Sequence, residues 1–364
     1  ERDAHGRPTG ILREWNAIEL VQPHIPEPDE ATLAVWLRET IAAAHKLGLT
    51  GIHDQRVERE GQQSFRLWQA LRRQDQLKLR VHMNIAADYV PEAATLGLLP
   101  GFGDDYLWIG HAKAFADGTM GSRTASMLAS FEGEAANTGV IVTPAEELWQ
   151  IATQAAAGGF SMSVHAIGDR AVREVIDVLG ERQTADAPAR LTLPHRIEHV
   201  QLIHPDDVPR LARHNLIASM QPVHLLTDWP TADHVWGDRA RYAYAFRSLL
   251  DQGTVLAFGS DAPVAPLNPM LGIYAALTRQ DERGLPAAGW YPQERLTLPE
   301  IIWAYTMGPA AMAGKTAVQG SITPGKWADL IVLADDLFAL PETAVKDATV
   351  DMTIFDGQVV FKRD

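Results

Sequence analysis

Short apolar runs alternate with amphipathic stretches over most of the chain. The short runs are rich in β-branched and aromatic residues, which is typical of buried strands, whereas the longer stretches repeat apolar residues at helical spacing. The predicted strands cover residues 49–53, 79–85, 108–115, 161–165, 195–200, 216–221 and 255–259. The predicted helices include residues 30–47, 62–73, 144–158, 170–179, 206–214 and 240–252.

The order of these elements predicts the fold class. Strands that alternate with helices at this spacing are parallel and are joined by right-handed crossovers. Because no GxGxxG motif follows a predicted strand, the pattern favours an α/β fold of the TIM-type (β/α)8 barrel kind over a doubly wound sheet. The pattern predicts seven strands, one fewer than such a barrel needs.

The alternation of predicted strands and helices ends after Met307. Residues 320–325 are rich in turn formers, and short strands are predicted at 327–333, 350–354 and 358–362. Asp356-Gly357, between the last two strands, is a strong hairpin signal. We therefore expect a barrel over residues 1–314 and a small β module over residues 315–364.

Composition and charge exclude several classes of binding partner and of chemistry. The 364 residues carry a net charge of −14 and contain no run of Lys or Arg, which disfavours a nucleic-acid or anionic-membrane surface. The absence of cysteine excludes disulfides, thiolate-bound zinc and a cysteine nucleophile, and leaves the cell compartment open. No apolar stretch reaches the length of a membrane span. We expect a small-molecule substrate, no nucleic-acid or membrane partner, a cytoplasmic location and, as an open alternative, a homo-oligomer.

Polar side chains stand at the C-terminal ends of the predicted strands, where barrel active sites are built. Lys113 lies in an apolar run, His165 and His199 end two later strands, and Asp261 follows the last strand. Two imidazoles and a carboxylate are natural ligands of a divalent metal, and a strand-end Asp beside a metal can accept a proton from water. Each residue alone has an ordinary explanation as a buried His, a snorkelling Lys or a turn. Because such residues recur at the ends of several separate strands, we favour a metal site.

Other residues near these strand ends are candidates for substrate binding. Asp117 and Arg123 lie in the loop after Lys113, and Gln221 and His224 lie just past the strand predicted at 216–221. The alternatives are a tight turn with a solvated Arg for the first pair and a capped loop for the second.

Three further features have mainly structural interpretations. Asp169 is expected to be a helix N-cap, and His195 is expected to be buried at the base of its strand. Three tryptophans are expected in loops at the barrel mouth, namely Trp229, Trp236 and Trp290. They would either line an apolar pocket or pack as lids.

Several stretches together carry a resemblance to a known family. They are GRPTGIL at 6–12, KAFADGTMGSRTA at 113–125, HAIGDRAV at 165–172, RIEHVQ at 196–201, QPVHLLTD at 221–228, the long run at 246–276, and GSITPGKWADLIVL at 320–333. The chain resembles the amidohydrolase superfamily, in the family 3 branch that contains N-substituted formamide deformylase. The resemblance implies a barrel with a mononuclear or binuclear metal centre, followed by part of a small β-sandwich, and hydrolysis of amide or other non-peptide C–N bonds.

The resemblance also implies roles for single residues. Lys113 would be a bridging ligand, carboxylated on its amine, and His165 and His199 would bind a second metal. Asp261 would bind metal and carry the proton from water to the leaving amine. The expected cofactor is a divalent metal, with zinc favoured, as one or two ions in the full-length enzyme.

One family feature is missing from this chain. The family has a His-x-His pair at the end of the first barrel strand, whereas none of the thirteen histidines here forms one, and His53 and His82 lie on later strands. The chain also begins without Met. We therefore expect that the first strand, the His pair and the N-terminal half of the β module are absent from this chain. On that basis we expect at most one weakly bound metal, with Lys113 largely unmodified.

Three interpretations of function follow. The leading one is a metal-dependent hydrolase of small-molecule amides. The second is a catalytically inactive barrel that acts only in binding or assembly, which metal content would distinguish. The third is a Schiff-base aldolase that uses Lys113, which predicts borohydride trapping and no need for metal.

Overall fold

The parallel sheet contains every strand predicted for the barrel. A computed structural model describes residues 2–12, 19–55, 61–182 and 191–364. The parallel strands, which pair in chain order, are β1 Gly51–Asp54, β2 Arg80–Ala86, β3 Leu107–Phe115, β4 Met162–Ala166, β5 Arg196–His199, β6 Ile217–Met220 and β7 Leu256–Phe258. The predicted α/β class and its parallel strands are therefore confirmed.

Contacts across the sheet show that it curls. Arg196 Nη1, on β5, lies 2.9 Å from His53 Nδ1, on β1, although three strands separate them in the sheet. Gln55 Oε1, just past β1, lies 3.1 Å from Ser163 Oγ on β4. Side chains so far apart in strand order meet only if the sheet wraps around an interior. Within the described ranges the sheet has seven strands, so the eighth strand and full closure stay predictions.

The two faces of each strand have different surroundings because side chains alternate along a strand. Val164, Ile197 and Ala218 are fully buried in the apolar core between sheet and helices. Arg196 and Glu198 face the inside, which is therefore polar near the strand ends.

Helices follow most strands and cover the outside of the sheet. They are α1 Glu30–Lys46, α2 Gly61–Arg73, α3 Val90–Thr95, α4 Ala145–Ala157, α5 Asp169–Ile176, α6 Val208–Arg213, α7 Leu225–Trp236, α8 Phe246–Asp251, α9 Pro269–Thr278 and α10 Leu298–Met312. Local signals explain several ends: Asp29 caps α1 by accepting from Thr32 N, and Thr297 with Glu300 forms a capping box on α10.

The single helix predicted over residues 240–252 is wrong. The structure has a 3₁₀ helix over Gly237–Tyr242 and then α8, with Tyr244 between them in a left-handed conformation at φ +50°. Tertiary contacts override the helical pattern here, because Tyr244 N donates to Gln201 O at 2.9 Å. The backbone is thereby drawn toward the loop after β5.

A small antiparallel sheet follows the last helix. It comprises β8 Leu330–Leu333, β9 Val350–Phe355 and β10 Gln358–Lys362, in the order β10-β9-β8. The predicted hairpin at Asp356-Gly357 is confirmed, and both residues have positive φ, as such turns require. The described residues form one such sheet, so a sandwich and the division at residue 314 stay predictions.

Arg80 joins the small sheet to the barrel. Its side chain is almost fully buried, pairs with Asp329 and donates to Asp356 Oδ1 at 3.2 Å. Among the described ranges, no helix combines the length and the apolar character needed to traverse a bilayer.

Candidate metal centre

Three potential metal ligands converge where β5, β6 and β7 end. His199 is the last residue of β5, while His224 and Asp261 lie shortly after β6 and β7. One ligand atom of each residue lies within 4.8 Å of the others, and His224 Nε2 is 3.8 Å from Asp261 Oδ2. Two atoms bound to one ion at roughly 2.1 Å can be no more than about 4.2 Å apart. A small adjustment therefore brings all three into one coordination shell.

The backbone at two of these residues has unusual geometry. His199 and Asp261 have φ values of +75° and +58°, in the left-handed region that residues other than glycine rarely occupy. Such conformations cost about 1–3 kcal/mol each and are concentrated at functional sites. The local geometry is thus consistent with a site that constrains both residues.

Hydrogen bonds determine which ring nitrogen of each histidine can bind an ion. His199 Nδ1 donates to Gln221 Oε1 at 2.9 Å, so the lone pair of His199 is on Nε2. His165 Nε2 donates to Gly118 O at 2.9 Å, which leaves the lone pair of His165 on Nδ1. His224 Nε2 is buried and has no hydrogen-bond partner within the part of the chain that the structure describes.

Burial keeps these imidazoles neutral near pH 7. It lowers the pKa of His199 to about 4, with a further contribution from the positive charge of Lys113. Burial also lowers the pKa of His224, and the neighbouring His199 acts in the same direction. Neutral imidazole is the form that binds metal, so both rings are ready for an ion without losing a proton.

Lys113 and His165 lie beside this group of three ligands. The His165 and His199 rings meet edge to face with centroids 4.6 Å apart. Lys113 is buried, and its Nζ lies 4.1 Å from the centre of the Phe115 ring. Lys113 and His165 lie within the last three residues of β3 and β4, but His165 is outside the group within 4.8 Å. The metal-binding roles of Lys113 and His165 stay predictions.

Asp117 is engaged by the backbone. Its carboxylate accepts hydrogen bonds from Ser126 N, Ile167 N and Gly168 N at 2.8–3.0 Å, and only 2% of the residue is exposed. Burial raises its pKa to about 7 despite these bonds. The carboxylate therefore joins the loop after β3 to the end of β4, and its predicted contact with substrate is untested.

Arg123 is the predicted substrate-binding residue that borders a cavity. The cavity, of about 470 Å³, is also lined by Gly121, Ser122, Glu134 and Asn137. Arg123 pairs with Glu134, and Asn137 Nδ2 donates to Arg123 O at 3.2 Å.

The two other predicted substrate-binding residues have different surroundings. Gln221 is buried and binds His199, and His224 belongs to the ligand group itself. The sequence predicted that His224 lies in a loop. Because the path of a loop is not recorded in the spacing of hydrophobic residues, its position among the ligands was missed.

A buried ion pair at the centre of the barrel was also missed. Arg196 Nη2 donates to Glu198 Oε2 at 3.0 Å, and Ser163 Oγ donates to Glu198 Oε1 at 2.7 Å. Burial alone would raise the pKa of Glu198, but the charge of Arg196 lowers it overall. The sequence RIEH contained the signal for this pair, because Arg196 and Glu198 are two residues apart on one strand and therefore share a face.

The prediction for the tryptophans needs correction at two of its three positions. Trp229 and Trp236 lie within α7 rather than in loops, and α7 also accommodates Pro230. Trp290 lies outside the helices and strands, as predicted, and is buried with its Nε1 donating to Asp233 Oδ1 at 2.9 Å.

The other two structural predictions have mixed outcomes. Asp169 is the first residue of α5, after the N-cap Gly168, and its carboxylate accepts from Leu128 N at 2.8 Å. The N-cap prediction was therefore wrong by one residue. His195 Nδ1 accepts from Met162 N at 2.9 Å, just before β5, and burial lowers its pKa to about 4. This contact agrees with a structural role at the strand base.

Comparison with known proteins adds independent information. Residues 1–361 match the family model described as "Amidohydrolase family". The chain is 29% identical over its full length to YtcJ of Bacillus subtilis (strain 168), whose name assigns it provisionally to the amidohydrolases. It is 26% identical over its full length to N-substituted formamide deformylase of Arthrobacter pascens.

A solved structure shows the same fold. An uncharacterized metal-dependent hydrolase from Pyrococcus horikoshii OT3 superposes on 90% of the chain with a TM-score of 0.77 and 25% sequence identity. The chain spans 64% of that protein, and 67% of both YtcJ and the deformylase.

Proposed function

The chain belongs to the amidohydrolase family, and we propose that it is a metal-dependent hydrolase that cleaves amide or other non-peptide C–N bonds of small molecules. The observation that carries the proposal is the convergence of His199, His224 and Asp261 from three strand ends. Similarity to the Pyrococcus horikoshii metal-dependent hydrolase supports metal-dependent hydrolysis. The name of the Arthrobacter pascens relative gives that protein an N-substituted formamide as substrate, which supports the amide class here.

The ligand group fits a single divalent ion, for which zinc is our proposal. Two imidazole nitrogens and one carboxylate oxygen form a set typical of catalytic zinc, which keeps one position open. The buried His224 Nε2, which finds no protein partner among the described residues, is the kind of atom that an ion would satisfy. With one ion, the carboxylation of Lys113 that the family resemblance implies lacks a second cation to stabilise its charge, so we propose that Lys113 stays an amine.

The residues of the site would have different chemical roles. His199, His224 and Asp261 would hold a divalent ion, which would supply a Lewis acid for the scissile carbonyl and for water. Asp261, whose side chain is 32% exposed, can accept the proton of the attacking water and deliver it to the leaving amine. Gln221 keeps the His199 ring oriented through the bond to Nδ1.

Arg123 would bind the polar end of the substrate. It lines the cavity together with Glu134 and Asn137, in the loop that begins after β3, and it pairs with Glu134. Gly118, near the start of this loop, is bonded to His165 through its carbonyl. The loop that lines the cavity is therefore bonded to His165, whose ring contacts that of the ligand His199.

The test is hydrolysis of a panel of N-formyl, N-acyl and cyclic amides by protein that has been stripped with chelator and reloaded with zinc. We expect turnover only after reloading, and at least a hundredfold loss in Asp261→Asn. Asp238→Asn is the matched control, because Asp238 is exposed and does not belong to the ligand group. Turnover that survives exhaustive chelation, or full activity in Asp261→Asn, would contradict the proposal.

A further inference from the structure

Three side chains close in sequence to the segments of the histidine ligands or bonded to them form a closed ring of hydrogen bonds. Tyr244 OH donates to Asp228 Oδ2 at 2.6 Å, and Gln201 Nε2 donates both to Asp228 Oδ2 and to Tyr244 OH, each at 2.6 Å. Gln201 and Tyr244 are buried, at 5% and 2% exposure. Each of these bonds is short, and two of them reach a carboxylate, which makes them stronger than bonds between neutral groups.

The ring joins the two segments that carry the histidine ligands. Gln201 follows His199 by two residues in the loop after β5. Asp228 is the fourth residue of α7, and His224 is the residue that immediately precedes this helix. A bond from Gln201 to Asp228 therefore connects the loop behind one ligand with the helix behind the other.

Tyr244 is held by its backbone as well as by its side chain. Its N–H donates to Gln201 O at 2.9 Å, and its carbonyl accepts from the buried Arg279 Nη1 at 2.9 Å. Burial raises the pKa of Tyr244 well above its usual range, so the phenol stays an O–H donor. The left-handed conformation at this residue, which interrupts the predicted helix, places the hydroxyl between Gln201 and Asp228.

We propose that Tyr244 is a positioning residue which, through Gln201 and Asp228, sets the distance between His199 and His224. The inference rests on the proposed function, because it concerns the ligands of the metal. Without the ring, α7 and the loop after β5 can separate, and part of the binding energy of the ion is then spent on drawing them together.

The test compares the zinc affinity and the stability of three proteins. In Tyr244→Phe the hydroxyl is removed and the ring is kept. The matched control is Tyr106→Phe, which also removes a tyrosine hydroxyl bonded to a carboxylate, that of Asp356. Tyr106 precedes β3 and so lies at the opposite end of the strands from the ligands. Zinc affinity is measured by competition with a chromophoric chelator, and stability by thermal unfolding of the metal-free proteins.

We expect Tyr244→Phe to bind zinc about tenfold more weakly than wild type, as is common for residues that act through a ligand. Tyr106→Phe should keep wild-type affinity. Asp228→Ala should resemble Tyr244→Phe, and Asp228→Asn should recover part of the affinity because its amide oxygen still accepts. If Tyr244→Phe lowers only the melting temperature and leaves zinc affinity unchanged, the ring is merely structural and the inference is wrong. A wild-type protein that binds no zinc would overturn both the inference and the proposed function.

Discussion

His199 and His224 face each other across the candidate metal centre, with ring centroids 6.3 Å apart and ring planes inclined by 20°. His199 is fixed from behind by Gln221, and His224 Nε2 lies 3.8 Å from Asp261 Oδ2. Two facing imidazoles with a carboxylate on the third side present three donors to the space between them. This arrangement is built from three separate strand ends.

Gln221 is predicted to support zinc binding without touching the ion. Gln221→Ala removes the acceptor of the His199 N–H, so the ring can rotate or change tautomer, and zinc affinity should fall by about 10–100-fold. The measurement is competition with a chelator, and Gln252→Ala, at an exposed position in the same protein, is the control. Equal affinities in the two variants would show that Gln221 has no such role.

The strands of the barrel could be predicted because their signal is local. Val164 and Ile197 alternate with inward polar residues, and this period of two within the strand itself indicates a strand. The hairpin at Asp356-Gly357 was likewise predicted from a turn that only certain residues adopt.

The geometry of loops and of tertiary contacts could not be predicted in the same way. The position of His224 beside His199 depends on the path of the chain between β6 and α7, which no periodic pattern records. The break in the helix predicted over residues 240–252 depends on a bond from Tyr244 N to Gln201 O, residues more than forty positions apart. Contacts of this kind override local propensity.

Glu198 is predicted to be essential for the stability of the barrel interior. Glu198→Gln removes the charge that compensates the buried guanidinium of Arg196, and loss of one partner of a buried pair typically costs about 3–5 kcal/mol. Urea denaturation of the metal-free protein measures the free energy of unfolding. Glu174→Gln, which removes the partially exposed pair with Arg170, should cost less than about 1 kcal/mol. Similar losses in both variants would contradict the account.

Buried histidines should make the stability depend on pH. Burial lowers the pKa of His111 to about 3, and burial holds the pKa of His82 well below 6.5. Below about pH 6.5 the unfolded chain binds protons at these rings, whereas the folded chain does not. The free energy of unfolding is therefore unaffected by protonation of these rings above that pH and decreases as the pH falls below it. Each ring adds a slope of at most about 1.4 kcal/mol per pH unit.

The variant His82→Gln isolates this effect. Urea denaturation at pH 7 and pH 5 should show a smaller loss of stability on acidification in His82→Gln than in wild type. His234→Gln, at an exposed position in α7, should behave like wild type. A wild-type slope in His82→Gln would mean that His82 is protonated in the folded protein.

Arg123 is predicted to affect substrate binding and not metal binding. Arg123→Ala removes a charged donor from the cavity beside Glu134, which should raise KM about tenfold or more for the best amide substrate. Zinc affinity should be unchanged, since Arg123 is not among the ligands. Arg170→Ala, which loses a partially exposed arginine, is the control. An unchanged KM in Arg123→Ala would remove Arg123 from the proposed site.

The stoichiometry of zinc binding tests the central claim most directly. Metal-free wild-type protein is titrated with zinc by isothermal calorimetry beside His224→Ala and the control His234→Ala, which alters an exposed histidine of α7, the helix that follows His224. The account predicts one equivalent of zinc for wild type and for His234→Ala, and at least a hundredfold weaker binding for His224→Ala, because a third of the protein ligands is lost. Undiminished zinc binding in His224→Ala, or no binding in wild type, would contradict the assignment of His199, His224 and Asp261 as the metal centre.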